Sequence, residues 1–131
     1  MSTPEQDCLS AVHAFLEAFR SLDWEPFCSC FAEDSTFFFP PTARQPHRVN
    51  GKTEIEVVFG RVFANARQQK DHPPYIIIEP KDMQIQMVQN VGLVTFHLDD
   101  PDAFGRRTVV LENRGGRWLI VHVHASNLPA L

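Results

Sequence analysis

The chain has 131 residues, 44% of them hydrophobic, and Phe outnumbers Tyr 11 to 1. This is the length of one domain with enough apolar material for a core, which excludes both a disordered chain and two independent cores. The formal charge of −4 is carried without any basic stripe or run, which excludes a nucleic-acid surface.

The N-terminal segment MSTPEQDCLS has neither a basic n-region nor an apolar h-region, and no apolar run reaches membrane-spanning length. A cytoplasmic protein with no membrane partner is therefore expected. Thr3-Pro4-Glu5-Gln6 is a helix start with a capping box, and Leu9, Val12, Leu16 and Phe19 follow at helical spacing. This first helix is predicted to end near Ser21-Leu22. Asp23 caps a second, shorter one with Trp24, Phe27, Cys28 and Phe31 on one face. Cys8, Cys28 and Cys30 are odd in number and spaced for neither a disulfide framework nor a zinc ribbon, so they read as buried free thiols.

Ser35 to Phe39 is a short strand-like run stopped by Pro40-Pro41, and Pro40 to Asn50 reads as loop. A third helix follows Gly51, with Ile55, Val58, Phe59, Val62, Phe63 and Ala66 as its apolar stripe. Strand period then takes over in Tyr75 to Glu79, Met83 to Val88, Val91 to Leu98, Arg106 to Asn113 and Arg117 to Ser126. Turn signals at Gln89-Asn90 and Gly115-Gly116 make the last four a meander. The fold class is α+β: three helices packed on a curved, mostly antiparallel sheet, a cone-shaped barrel with an apolar pocket.

The last hairpin carries the candidate chemistry. With an even turn at 113–116, Arg107, Val109 and Leu111 share a face with Trp118, Ile120, His122 and His124. A three-residue loop would flip this parity. Two imidazoles and a guanidinium beside apolar surface suit a polar ligand group or general acid–base work, against the alternative of histidines satisfied in a filled core. Nearby positive charge and burial would both lower the histidine pKa. The H-x-H pair could ligate a metal only with His97 or His47, and a neighbouring Arg would repel the cation, so no metal is expected. Gly51-Lys52-Thr53 lacks the earlier glycine and strand of a phosphate loop, and G-x-S-x-G is absent. Glu33-Asp34 and Asp99-Asp100 sit at element ends and read as solvated caps.

Four strings resemble the nuclear transport factor 2-like superfamily, and within it SnoaL-like and ketosteroid isomerase-like domains: Asp23 through Ser35 (DWEPFCSCFAEDS), Val49-Asn50-Gly51-Lys52, Gly116 through His122 (GRWLIVH), and His122 through Pro129 (HVHASNLP). The resemblance implies a helix-covered curved sheet around a pocket, in a superfamily of isomerases, dehydratases, epoxide hydrolases, cyclases and non-enzymatic binding or assembly domains. The isomerases' catalytic Tyr and Asp positions fall here on Phe15 and Phe39, neither of which moves a proton. Superfamily dehydratases use pocket histidines, which keeps His122 and His124 as candidates.

Two functions are expected to compete. In one, a small, largely apolar organic molecule lies among Phe15, Phe19, Trp24, Phe39, Phe59, Phe63, Val109, Leu111, Trp118 and Ile120. His124 or His122 is then acid or base, and Arg107 steadies oxygen charge, in a cofactor-free isomerisation, dehydration or cyclisation. In the other, the fold is a non-catalytic ligand-binding or dimerisation module. Val110, Leu119, Val121 and Val123 are predicted to form an apolar strip on the opposite face, through which the chain makes a two-fold homodimer.

Overall fold

The computed structural model describes residues 1–101 and 103–129. Helix α1 (Pro4–Ser21) starts on a closed capping box: Gln6 N donates to Thr3 Oγ1 at 3.1 Å, and Thr3 N donates to Gln6 Oε1 at 3.0 Å. It ends on Leu22 in the left-handed region (φ 52°), and α2 (Trp24–Ser29) follows. Asp23 holds the N-cap position of α2, but its side chain makes no capping hydrogen bond. The chain continues through β1 (Phe31–Phe38), a 3-10 turn (Pro41–Ala43), β2 (Val49–Asn50) and α3 (Lys52–Gln69). It closes with the meander β3 (Lys81–Val88), β4 (Val91–Asp99), β5 (Ala103–Arg114) and β6 (Arg117–Pro129).

The strands form one mixed sheet in the order β2-β1-β6-β5-β4-β3. Only the β1–β6 pair is parallel. The sheet is open, with β2 and β3 as its edges, so it is not a closed barrel. Helices α1 and α3 cover one face, where Val94, Phe96 and Leu98 of β4 and Val109 and Leu111 of β5 are buried. Among the described residues no helix is long and apolar enough to cross a membrane.

Three segments depart from the sequence reading. Phe31, expected on the face of the second helix, lies beyond its end and opens β1. Val49–Asn50, expected in a loop, pairs with Thr36 and Phe37 as a two-residue edge strand. Tyr75 to Glu79, expected as a strand, is irregular. Its backbone is committed elsewhere: Tyr75 N and Ile76 N donate to Arg20 O at 2.8 and 3.4 Å, and Arg20 Nε donates to Ile78 O at 2.8 Å. The apolar run is thus strapped to the C-terminal end of α1 and has no ladder to join.

The decisive feature of the sheet is a bulge in β6. Val110 pairs with His122 but Leu111 pairs with Ile120, so Val121 is an extra residue on its strand. The side-chain period is two, so one extra residue exchanges the faces of everything beyond it. Ile120 lies on the helix-covered face with Leu111, whereas on the far side of the bulge Val123 and Ala125 take that face and His122 and His124 leave it.

Candidate functional site

Between α1, α3 and the covered face of the sheet lies a cavity of about 500 Å³. Phe15 and Phe19 of α1 and Phe59 of α3 wall it, Phe37 and Phe39 close one side, and Val109 and Val123 floor it. The aromatic content divides in two. Phe27 is 1% exposed and packs its ring 4.7 Å from Phe59 and 4.9 Å from Phe63, so this part is solid core. The rings on its flank face open space instead. Ile77 lines the cavity yet is 72% exposed, which marks the mouth.

The polar end of the cavity is built on β5 and β6. Gly105 pairs with Asn127 and Arg107 with Ala125. With no side chain at Gly105, the space above it is taken by its neighbours: an ideal Cβ there would lie 3.3 Å from both Arg107 Nη1 and Asn127 Oδ1. Arg107 Nη1 donates to Arg106 O at 3.0 Å, Ser126 O at 3.0 Å and Asn127 Oδ1 at 3.1 Å. Burial pushes the Arg107 pKa down, and the charge of Asp100 works against that fall. Asp100 lines the same cavity from the end of β4, and Tyr75 lines it from the strapped segment under the guanidinium of Arg67, 5.2 Å from its ring centroid.

The residues expected at the site therefore divide. Phe15, Phe19, Phe39, Phe59, Val109 and Arg107 come together around the cavity. Leu111 and Ile120 are fully buried on the same face of the sheet but pack into core. Phe63 is buried in the aromatic cluster, Trp24 is 37% exposed with its ring edge-on to Phe63, and Trp118 packs at the core's margin, none of them on the cavity wall.

His122 and His124 do not join Arg107 on the wall of this cavity, although His124 and Arg107 both line a second hollow with His97, Phe104 and Thr108. The turn parity was even, but the bulge at Val121 puts both imidazoles on the outer face. There Thr36 Oγ1 lies 2.7 Å from His122 Nδ1, and the Phe38 ring packs 5.7 Å from His122 and 5.2 Å from His124. The His122 pKa is lowered, by burial first, then by His124 and Arg48, against a hydrogen bond to the Thr36 backbone. Arg107 plays no part in that shift. Val123, expected on the outer strip, is 3% exposed and belongs to the cavity floor for the same reason.

Three polar residues of the site escaped the sequence reading. Asn127 follows from period-two alternation with Val123 and Ala125 once the bulge is placed. Asp100 was read as a solvated cap, and it is exposed, but at the rim of the cavity. Tyr75 was assigned to a strand. Among the described residues no three His, Cys, Asp or Glu side chains gather as a metal site requires.

A family model for the SnoaL-like domain matches residues 9–130. No curated protein matches the sequence. Among solved structures, a candidate dehydratase of the NTF2-like family from Streptomyces avermitilis is 20% identical over 98% of this chain and 99% of its own, with a TM-score of 0.77. A candidate ketosteroid isomerase from Parabacteroides distasonis is 20% identical over 89% of this chain and 84% of its own, with a TM-score of 0.68. The association domain of CaMKII from C. elegans is 16% identical over 93% and 94%, with a TM-score of 0.65. At these identities the likeness is one of fold.

Proposed function

The chain belongs to the SnoaL-like domain family, and from that premise we propose that it binds a small, largely apolar organic molecule in the cavity between its helices and its sheet. The observation that carries this reading is a cavity of about 500 Å³ walled by Phe15, Phe19, Phe39 and Phe59, with a polar cluster of Arg107, Asn127 and Asp100 at one end. Ligand sites are mostly apolar hollows of this size with a few convergent polar groups. The measurement that tests it is a thermal-shift screen of polycyclic and terpenoid compounds, since a ligand that binds only the folded state must raise its melting temperature. Hits are expected for the wild type and are expected to vanish for Ala125→Phe, which fills the cavity from the sheet. Hits that survive the filling, or none across the panel, would overturn the reading.

A catalytic version of the same site is favoured by one observation. Tyr75 and Asp100 line the cavity and are groups able to exchange a proton. In this reading the Asp100 carboxylate takes a proton from carbon beside a substrate carbonyl, and Arg107 donates hydrogen bonds to the oxygen as it gains charge. The proton on Asp100 returns to another carbon of the enolate in an isomerisation, or goes to the departing hydroxyl, which leaves as water, in a dehydration; either is cofactor-independent and in line with the candidate activities of the two bacterial structures above. His122 and His124 lie outside this cavity and take no part in that step.

The outer face of the sheet supports a second copy as partner. Leu93, Val110 and Leu119 lie there half-buried, and a two-fold homodimer through the sheet would cover them.

A further inference from the structure

Arg107 is more than the site needs for shape. All three protein acceptors of its guanidinium converge on Nη1. Nε and Nη2, the pair that a carboxylate grips side-on, have no acceptor among the described residues. No carboxylate among them lies within 4.0 Å of the guanidinium either. Asn127 and the two carbonyls instead fix the fork from one side, and Gly105 clears the room for it. A half-buried cation with two unused donors, held from one side at the end of an apolar hollow, is poised for an anion.

We infer that the ligand is a carboxylic acid bound as its anion, with the carboxylate side-on against Nε and Nη2 of Arg107 and the hydrocarbon body along Phe15, Phe19 and Phe59. This rests on the cavity being a ligand site. Asp100 at the rim is a like charge that weakens the anion's binding and leaves the two donors unoccupied. Its exposure screens its field more than that of the half-buried fork.

The test compares 1-pyrenebutyrate with 1-pyrenebutanol at pH 7.5, two fluorescent probes with the same rings and chain but different head groups. Charge-assisted hydrogen bonds make the acid bind the wild type at least about tenfold more tightly than the alcohol. Arg107→Gln removes that preference and leaves the alcohol within about twofold, while Asp100→Asn tightens the acid alone. If both probes bind the wild type equally, the cavity is a ligand site but the acid assignment is wrong. If the preference persists in Arg107→Gln, Arg107 is not the anchor. If neither probe binds, the cavity reading itself falls with it. The first comparison uses only the wild type, so it decides the question even if the Arg107 variant does not fold.

Discussion

His122 is the residue whose protonation the fold opposes. Burial lowers its pKa from 6.5, His124 and Arg48 add to the effect, and the contact with Thr36 opposes it. The unfolded chain then takes up the proton first as pH falls. Stability is unaffected above about 6.5 and is lost below it, down toward the lowered folded value. Melting temperature is expected to fall between pH 7 and pH 5 less steeply in His122→Gln than in the wild type, as read by circular dichroism. Parallel slopes would mean that other groups set the acid limb. The same side chain shows the limit of reading residues one at a time. Type and spacing single out His122, His124 and Arg107, and Arg107 lines the cavity. The face on which each stood depended on a backbone irregularity between them.

At the scale of elements, α1 approaches the sheet at Gly92 of β4. A Cβ built there would collide with Cys8 Sγ and lie 3.4 Å from Met87 Sδ, and Cys8 is completely buried. Gly92→Ala is expected to cost about 1–3 kcal/mol by overpacking. Cys8→Ala in the same chain makes room for the new methyl, so the double variant should be less destabilised than the sum of the singles by at least about 0.5 kcal/mol in urea unfolding. Additive losses would show that the helix shifts instead. All three helices and the four-strand meander were legible, because a capping box, a 3.6-residue stripe and turn dipeptides are local signals. The two-residue strand Val49–Asn50 has no periodicity to read. Tyr75 to Glu79 has strand composition but spends its hydrogen bonds on Arg20, a partner more than fifty positions away. The bulge at Val121 leaves no mark in composition at all, since Val-His-Val-His alternates perfectly on either register.

At the scale of the whole molecule, the strands of the sheet offer the cavity on one face and Leu93, Val110 and Leu119 on the other. Light scattering at micromolar concentration is expected to give twice the protomer mass, and Val110→Glu is expected to halve it while the far-ultraviolet spectrum stays native. A wild-type protomer mass would remove the sheet-to-sheet dimer. The topology has a further consequence, for the time course of folding. β6 lies in the middle of the sheet, between β1 and β5, yet it is the final strand of the domain to leave the ribosome. Phe31 and Thr36 wait for Ile120 and His122 before β1 can join the meander. Closing a loop of that length precedes any reward from the contacts it brings, so the sheet condenses late, only once β6 is available. Until then the nascent chain presents two unpaired strand edges and its phenylalanines to solvent or to a chaperone, which makes the unfinished chain, more than the finished one, the species prone to aggregate.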